Sequence, residues 1–283
     1  EAELADAWRG ATGEALTAFG APALLVERVV ERARHVEVQI LADDRGQVVW
    51  LGERDCSIQR RHQKLIEETP APSVDDGLRA RLGEAAVRIA RAADYRNAGT
   101  CEFLVAPNGD FVFLEVNTRL QVEHPVTEMV SGLDMVALQL RIATGEPLPF
   151  RQEEIARWGA AIECRITAED PFAGFLPAAG RIDLVREPGG PHVRVDSALF
   201  PGMVVPTEYD PLLAKLVAWG RDRGEALARM RRALAETVLT GIPTTLSFHA
   251  HVLSEPDFVA GAYDTGYVAT HWPPAPIELD DAS

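Results

Sequence analysis

Residues 113–124 read Phe-Leu-Glu-Val-Asn-Thr-Arg-Leu-Gln-Val-Glu-His, and polar residues alternate with apolar ones along this stretch. An extended chain points successive side chains to opposite faces, so the pattern predicts a strand with the odd-numbered residues on one face. A cation ligand, an anion binder and a candidate base would then follow one another along that face. The polar residues concerned are Glu115, Asn117, Arg119, Gln121 and Glu123.

The sequence just upstream predicts a hairpin that ends in this strand. Asn108-Gly109 between apolar runs is typical of a two-residue type I′ turn. Folding about it places Glu102 directly opposite Glu115, and facing like charges are destabilising unless a positive group lies between them. Two carboxylates and the amide oxygen of Asn117 are ligands that suit a hard divalent cation. A solvated surface pair is the alternative, but the apolar flanks favour a buried metal site.

With 283 residues, the chain is long enough for a large core and two domains. Its apolar content of 47% and charged content of 25% are ordinary for a soluble globular protein. No apolar run approaches the ~18 residues that a membrane span needs, and no secretory signal is visible at the N-terminus. Cys56, Cys101 and Cys164 have neither disulfide nor metal-ligand spacing. The composition therefore predicts a cytoplasmic protein without a membrane partner.

The formal net charge of −15 argues against a nonspecific nucleic-acid binder, which needs a positive field. Against this background, Arg54 and the run Arg-Arg-His-Gln-Lys at 60–64 form a local concentration of positive charge. Such a run is either a solvated loop or an anion-binding site. Because an acidic protein has few places to hold phosphate, anion binding is the favoured interpretation.

The hydrophobic pattern predicts an α+β fold in which hairpins are segregated from helices. Helical spacing occurs at 3–19, 78–89, 126–143 and 224–238. Strands are expected at 23–30, 35–42, 48–51, 160–167, 181–186, 192–197 and 213–219. Pro147 and Pro149 indicate a domain boundary near residues 145–152, and the proline-rich, acidic residues 273–283 indicate a tail or linker.

Four stretches, in this order, resemble the biotin carboxylase family, a branch of the ATP-grasp enzymes. They are residues 34–39, 53–64, 113–129 and 163–171, and the similarity runs from about residue 1 to 270. The resemblance implies the C-terminal portion of an ATP-grasp fold, mostly antiparallel sheet with helices, followed by the α+β biotin carboxylase C-terminal domain. The implied segments are a remnant of the ATP-grasp lid (1–34), the ATP-grasp core (35–150), the C-terminal domain (151–270) and a tail or linker (271–283).

The resemblance also implies a reaction in which ATP, bicarbonate and protein-linked biotin give carboxybiotin, ADP and phosphate. Glu102, Glu115 and Asn117 would hold magnesium or manganese at two sites, because metal ions offset charge on a transferring phosphoryl group. Lys64 would contact both the phosphoryl end and the bicarbonate-derived group. The residues implied to line the ATP cleft are Glu27, Arg28, Val30, His35, Glu37, Gln59, His62 and Lys64.

Bicarbonate is small, flat and anionic, so a guanidinium fork suits it. By the resemblance, Arg119 is this clamp, Gln121 and the backbone of Val122 complete the bicarbonate pocket, and Glu123 is the general base. Arg165 would stabilise the enolate-like oxygen of biotin, a task that needs a fixed cation. The implied catalytic residues are therefore Glu123, Arg119, Lys64 and Arg165.

The resemblance implies partners as well as substrates. Biotin would arrive on a carrier protein or domain, a carboxyltransferase subunit would use the carboxybiotin, and the chain would form a homo-oligomer. An acyl-CoA carboxylase is the leading expectation for the complete enzyme, while pyruvate and urea carboxylases use similar modules and stay open. A non-catalytic assembly module and another ATP-grasp ligase that makes an acyl phosphate are alternatives from other classes.

Two features depart from the family pattern. Arg28 stands where many relatives have a lysine at the adenine hinge. The 283 residues also contain neither a Gly-Gly-Gly-x-Gly phosphate loop nor the lysines that precede it in the family. We therefore expect the chain to be about the last three-fifths of a biotin carboxylase unit and to bind ATP poorly alone.

Overall fold

The computed structural model describes residues 2–206 and 208–274. Its helices are α1 (Ala2–Phe19), α2 (Asp76–Ala92), α3 (His124–Ser131), α4 (Met135–Ala143), α5 (Arg223–Glu236), α6 (Leu246–Val252), α7 (Pro256–Val259) and α8 (Tyr267–His271). Its strands are β1 (Arg34–Ala42), β2 (Val48–Arg60), β3 (Gln63–Thr69), β4 (Asn97–Val105), β5 (Phe111–Asn117), β6 (Ala160–Thr167), β7 (Glu169–Asp170), β8 (Leu176–Pro177), β9 (Gly180–Arg181), β10 (Leu184–Arg186), β11 (Val193–Ser197), β12 (Val204–Val205), β13 (Leu212–Gly220) and β14 (Val238–Thr240). Within these described stretches, every helix is too short or too polar to span a membrane.

The chain divides into two compact units, and the first, Glu1–Glu31, consists of α1 and an irregular segment. The predicted helix at 3–19 is confirmed, and Gly20, with a left-handed φ of +70°, ends it. The predicted strand at 23–30 is wrong. A β-branched run forms a strand only where another strand can pair with it, and here Leu25 and Val29 are 85% and 81% exposed.

The second unit, Arg32–Ser283, is built on an eight-stranded sheet with the order β11-β13-β6-β3-β2-β1-β4-β5. Every neighbouring pair in it is antiparallel. Hairpins join β1 to β2, β2 to β3 and β4 to β5. The patterns predicted the strands of the first hairpin and the third hairpin itself, but they did not predict β3. The predicted α+β class with a mostly antiparallel sheet is confirmed.

Glu102 and Glu115 face each other across β4 and β5 as predicted, but the turn that joins these strands differs from the prediction. Ala106 N donates to Asp110 O at 2.8 Å, which closes a three-residue loop at 107–109. If the strands continued in the register that this loop sets, Glu102 would be opposite Leu114 and not opposite Glu115. A β-bulge at Leu114, between the pairs Phe103–Phe113 and Glu102–Glu115, restores that pairing.

The predicted type I′ turn at Asn108-Gly109 is therefore wrong. Such a turn needs a positive φ at both central residues, and Gly109 has a φ of +80° whereas Asn108 does not have a positive φ. A two-residue turn of this kind joins β2 to β3 instead. There Arg61 and His62 have φ values of +49° and +65°, and the flanking residues Arg60 and Gln63 pair.

The sheet is covered by helices on both faces. The even-numbered apolar side chains of β1 pack against α2, whose N-cap Asp75 accepts a hydrogen bond from Leu78 N. The inner residues of β6 and β13 pack against α5 on the same face. On the opposite face, α3 and α4 cover other residues of these strands. The odd-numbered residues of β1, among them Glu37, are consequently buried as well.

Most of the remaining predicted elements are confirmed, with four changes. The predicted strand at 48–51 is longer than expected and continues to Arg60 as β2. The predicted helix at 126–143 is two helices, α3 and α4, because Gly132 adopts a left-handed φ of +71° between them. The predicted strand at 181–186 is divided between β9 and β10. The predicted helix at 224–238 ends at Glu236, where α5 ends. Most of the predicted tail, residues 275–283, lies outside the described residues.

The sheet contains strands from both segments that the sequence assigned to separate domains. β1 to β5 come from the segment 35–150, and β6, β11 and β13 come from the segment 151–270. β3 and β6 join the two groups through four residue pairs, from Ile66–Cys164 to Thr69–Ala161. The domain boundary near residue 150 stays a prediction.

Candidate active site

A row of charged residues crosses four neighbouring strands on the face that α3 and α4 cover. Arg54 of β2 faces Glu37 of β1, Glu37 faces Glu102 of β4, and Glu102 faces Glu115 of β5. Residues that are directly opposite in an antiparallel sheet have their side chains on the same face. One positive and three negative side chains therefore lie side by side, and additional positive charge is needed to hold them there.

Lys64 supplies that charge from β3. Its Nζ contacts Glu37, and it lies 2.8 Å from Glu102 Oε1 and 2.7 Å from Glu123 Oε1. Burial would lower the pKa of Lys64, but the three carboxylates together raise it above its ordinary value. The lysine is thus a fixed cation at neutral pH, and it joins three separate chain segments at one point.

Arg54 is the second cation of this cluster, and its side chain is fully buried. Its Nε contacts Glu37, and its Nη1 donates to Gln39 Oε1 at 2.8 Å and to Thr127 Oγ1 at 3.0 Å. Burial would raise the pKa of Glu37, but Arg54, Lys64 and His35 lower it to about 2. In the sequence Arg54 is recognisable only as part of a basic region, because its partners depend on the β1–β2 register.

The predicted strand through residue 123 is wrong beyond Asn117, where β5 ends. Residues 118–123 form an irregular segment, and α3 begins at His124 with Pro125 in its first turn. The predicted gathering of the odd-numbered residues nevertheless occurs in part. Gln121 Nε2 donates to Glu102 Oε1 at 3.2 Å, and Glu123 reaches Lys64. Both Gln121 and Glu123 are buried.

Glu123 also contacts Arg165 of β6, on the side away from Lys64. Arg165 Nη2 lies 2.8 Å from Glu123 Oε2, and Arg165 Nε lies 2.6 Å from Glu67 Oε1 of β3. Burial would lower the pKa of Arg165, but Glu67 and Glu123 raise it, so the guanidinium stays charged. Next to it, Lys215 of β13 donates to the backbone oxygen of Val122 at 2.9 Å.

Glu67 and Lys215 belong to this site but were not identified from the sequence. Each contacts a predicted site residue that is about a hundred residues away in the chain. No local spacing could indicate these contacts. The β3–β6 pairing brings Glu67 close to Arg165, and the β6–β13 pairing places Lys215 directly opposite Arg165.

The predicted metal ligands lie at the open end of the charged row. Asn117 Nδ2 lies 2.9 Å from Glu102 Oε1 and 3.3 Å from Glu115 Oε1, so the amide bridges the two carboxylates. Glu115 is exposed, and no cationic side chain of the described residues pairs with it. Two carboxylates and an amide form a hard oxygen donor set that fits a magnesium or manganese ion.

A donor set that contains the buried Cys56 fits such an ion less well. Carboxylate oxygens of Glu37 and Glu123 lie within 4.8 Å of the Cys56 thiol. A thiol must lose its proton to bind a metal, and burial raises the pKa of Cys56 well above its ordinary value. Lys64 already bridges the two carboxylates. The set at Asn117 is therefore the better candidate for a hard-cation site.

The residues predicted to line an ATP cleft lie in several places. His35 Nε2 lies 3.1 Å from Glu102 Oε2, and His35 Nδ1 lies 3.1 Å from the amide of the buried Gln59. His62 is exposed in the turn between β2 and β3. The three predicted hinge residues belong to the first unit, in which two are exposed and the third is half-buried: Glu27, Arg28 and Val30.

Arg119, the predicted bicarbonate clamp, is exposed and is not part of the buried charge cluster. Among the described residues, its guanidinium donates only to the backbone oxygen of Leu120, at 3.3 Å. The side chain is therefore free to bind an anion. It follows Asn117 by two residues and precedes Gln121 by two, so the predicted metal ligands and the predicted base flank it in the chain.

A cavity of about 500 Å³ lies elsewhere in the second unit and contains none of the predicted site residues. The turn at 106–109, the start of α2 and residues 262–264 line it, and its arginines are Arg32, Arg34 and Arg81. These arginines are already in contact with other groups. Arg34 pairs with Asp55 at 3.0 Å, and Arg81 donates to Gly109 O. The charge cluster around Lys64 therefore remains the better candidate for chemistry.

Comparisons with known proteins cover most of the chain. Residues 1–151 match the family model described as the carbamoyl-phosphate synthase L chain, ATP binding domain, and residues 163–270 match the biotin carboxylase C-terminal domain. The biotin carboxylase of Nostoc is 51% identical over 94% of this chain and 60% of its own length. The biotin carboxylase 1 of Bacillus subtilis is 48% identical over 96% of this chain and 60% of its own.

A solved structure with the same fold is the biotin carboxylase domain dimer of Hydrogenobacter thermophilus 2-oxoglutarate carboxylase. It was determined in complex with magnesium ADP, ADP and bicarbonate. Its TM-score is 0.91 at 43% identity, over 95% of this chain and 59% of that one. The chain therefore spans about 60% of the length of the relatives that it matches.

Proposed function

The chain belongs to the biotin carboxylase family, and we propose that the full-length protein carboxylates protein-linked biotin with ATP and bicarbonate. The observation that carries this proposal is the position of Glu123. Its two carboxylate oxygens contact different cations, Lys64 Nζ at 2.7 Å and Arg165 Nη2 at 2.8 Å. A candidate base is thus held between a cation that suits a phosphoryl group and a cation that suits a developing oxyanion.

The chain's own residues divide the chemistry among them. Arg119 binds bicarbonate with Gln121 and the backbone of Val122, and Glu123 takes its proton. The bicarbonate oxygen then attacks the γ-phosphorus of ATP and ADP leaves, which gives carboxyphosphate. Carboxyphosphate breaks down to carbon dioxide and phosphate. The phosphate takes the proton from a biotin nitrogen, and that nitrogen bonds to the carbon dioxide. Arg165 offsets the negative charge that develops on the biotin oxygen.

Glu102, Glu115 and Asn117 would hold the divalent cations of the reaction. Magnesium or manganese bound there would offset the charge of the ATP phosphates. Lys64 Nζ already pairs with Glu102 Oε1, so it would share that carboxylate with the metal and contact the phosphoryl end of ATP. His35 and Gln59 form one contact pair at the predicted nucleotide cleft. We propose that Glu37 keeps Lys64 in place and that His62 also contacts the nucleotide. The adenine-hinge role of Glu27, Arg28 and Val30, which belong to the first unit, stays a prediction.

The partners follow from the chemistry. We propose that biotin is carried on a separate protein or domain, that a carboxyltransferase uses the carboxybiotin, and that the chain forms a homo-oligomer in the cytoplasm. An acyl-CoA carboxylase is the leading candidate for the complete enzyme. The acceptor is chosen outside this chain, and the relatives belong to enzymes with different acceptors, among them methylcrotonoyl-CoA carboxylase, pyruvate carboxylase and 2-oxoglutarate carboxylase.

A phosphate-release assay on the full-length protein tests the proposal. ATP and magnesium are supplied with and without bicarbonate, and free biotin is added as the acceptor. We expect ATP hydrolysis that depends on bicarbonate and is stimulated by biotin. ATP hydrolysis that does not depend on bicarbonate would indicate another ATP-grasp ligase. The absence of hydrolysis would indicate a non-catalytic assembly module.

A further inference from the structure

Two glutamates that the proposed reaction does not use face each other inside the sheet. Glu67 of β3 is directly opposite Glu163 of β6, and both side chains are fully buried. Side chains at directly opposite positions approach to roughly 5 Å between their Cβ atoms. Two ionised carboxylates at this separation and depth would repel each other strongly.

The hydrogen-bond partners of this pair are incomplete. Glu67 Oε1 accepts from Arg165 Nε at 2.6 Å. Glu67 Oε2 and both oxygens of Glu163 have no hydrogen-bond partner among the described residues. Buried polar atoms are nearly always hydrogen-bonded, and an ionised carboxylate without donors is especially costly in the interior. One hydrogen atom between the two side chains would give partners to two of these three oxygens, Glu67 Oε2 and one oxygen of Glu163.

The charged groups around the pair favour a single negative charge. Burial raises the pKa of Glu163 well above its ordinary value and Glu67 adds to this, whereas Lys215 and Arg165 oppose it. Burial raises the pKa of Glu67 to about 7, against the influence of Arg165 and Lys64, and Glu123 adds to the increase. These groups face the pair from β3, β6, β13 and the segment before α3, and the buried thiols of Cys56 on β2 and Cys164 on β6 also interact with it.

We propose that the Glu67–Glu163 pair holds one proton at neutral pH, carried by Glu163 and donated to Glu67 Oε2, and that the pair positions Arg165. The proton is assigned to Glu163 because Arg165 contacts Glu67 and stabilises the charge there. This inference rests on the proposed function only for the task of Arg165. The proton itself is a property of the folded chain.

The pair acts on the site through one chain of contacts. Glu163 orients Glu67, Glu67 holds Arg165 Nε, and Arg165 Nη2 meets Glu123. Glu163 lies two residues before Arg165 in β6, so both side chains are on the same face of the sheet. An ionised Glu163 would give Arg165 a third carboxylate beside Glu67 and Glu123. Protonation leaves Arg165 with the two partners that fix its direction.

Infrared difference spectroscopy of the full-length protein tests the proton directly, with no need for activity. The wild-type protein at pH 7 should show the carbonyl band of a buried, protonated carboxyl group, and the Glu163→Gln variant should lack it. The Glu84→Gln variant, which changes an exposed glutamate on α2, is the matched control and should keep the band. A wild-type spectrum without the band would overturn the proposal, even if no variant could be produced.

Stability against pH is a second readout. The folded pKa of Glu163 is raised, so the folded state binds more protons than the unfolded state above about pH 4.3, the ordinary pKa of glutamate. Wild-type stability should therefore fall relative to Glu163→Gln as the pH rises from there. The ratio of the two unfolding constants should change by up to about tenfold per pH unit. A ratio that does not change with pH would contradict the proposal.

Turnover then tests the positioning role. Glu163→Leu removes the donor to Glu67 at similar volume, and we expect biotin-dependent turnover to fall at least tenfold with little change in KM for ATP. Glu163→Gln restores a donor and should recover most of that loss. In this variant, the decrease of turnover at alkaline pH should begin at a higher pH than in the wild-type protein. Equal losses in both variants would contradict the positioning role. A wild-type protein that shows the infrared band but no carboxylase activity would leave the proton in place and refute the proposed function instead.

Discussion

Arg54 and Glu37 face each other across β1 and β2, and neither side chain is exposed to solvent. An ion pair at this depth is costly to break, because the remaining charge keeps its desolvation cost and loses its partner. Arg54 also donates to Gln39 and Thr127, so it connects the sheet to α3. The Arg54–Glu37 pair therefore stabilises the part of the fold that carries the more exposed residues of the site.

We expect Arg54→Ala to lower the free energy of unfolding by about 3–5 kcal/mol, because Glu37 loses its strongest buried partner. Denaturant unfolding of the full-length protein measures the change. Arg88→Ala on α2 is the control, since Arg88 is exposed and lies 4.0 Å from its one acidic neighbour, Glu84. That substitution should change the free energy by less than about 0.5 kcal/mol. A loss of under about 1 kcal/mol in Arg54→Ala would show that the buried pair is not needed.

Glu123→Gln should lower bicarbonate-dependent ATP turnover by about 10²–10⁴-fold, the range typical for loss of a general base. The amide keeps the shape of the side chain but cannot take a proton from bicarbonate. KM for ATP should change little. Steady-state phosphate release measures both quantities, with Glu84→Gln as the exposed control. Near-normal turnover in Glu123→Gln would remove this residue from the mechanism.

Glu115→Gln should raise the magnesium concentration needed for half-maximal activity by about tenfold or more, because one of two facing carboxylates is lost. Asp110→Asn is the control. It changes an exposed carboxyl group next to the loop of the same hairpin, away from the Glu102–Glu115 pair. It should leave the magnesium requirement unchanged. A magnesium titration of both variants checks this, and equal requirements would argue against the metal site at Asn117.

Arg119→Ala should separate catalysis from stability. Arg119 is exposed and has one weak hydrogen bond to Leu120 O, so the free energy of unfolding should change by less than about 0.5 kcal/mol. Loss of a charged anion clamp should nevertheless raise KM for bicarbonate by about tenfold or more. Bicarbonate titrations alongside denaturant unfolding test both halves. An unchanged KM would mean that another cation binds bicarbonate.

His249 gives a pH-dependent prediction in the acid range. Its side chain is buried on α6, its Nε2 lies 2.6 Å from Arg165 O, and burial lowers its pKa to about 4. Between about pH 6.5 and pH 4, the unfolded state therefore binds a proton that the folded state does not bind. The free energy of unfolding falls as the pH is lowered through this range. The contribution approaches about 3 kcal/mol at pH 4.

His249→Gln keeps a donor for Arg165 O but does not titrate. We expect the variant to lose stability less steeply than the wild-type protein between about pH 6.5 and pH 4, by denaturant unfolding at several pH values. His251→Gln, on the same helix but only partly buried, is the control and should follow the wild-type curve. Parallel curves for wild type and His249→Gln would show that His249 is not kept neutral by burial.

The sequence predicted the hairpin of Glu102 and Glu115 because alternation and turn residues are local signals. It missed the bulge at Leu114, since a bulge depends on how two strands pair and not on either strand alone. The pattern at 118–123 continued the alternation, but this segment forms the approach to α3, where Pro125 favours the first helical turn. Glu67 and Lys215 were missed for a related reason: their partners come from distant parts of the chain.

The pairing of β3 with β6 has a practical consequence for anyone who divides this chain. A cut near residue 150, where prolines would suggest a linker, separates two strands that lie in the middle of one sheet. Each fragment would then present an unpaired edge that is ready to capture other chains. Expression of either half alone should give aggregates, whereas co-expressed halves should associate through the pairing of β3 with β6.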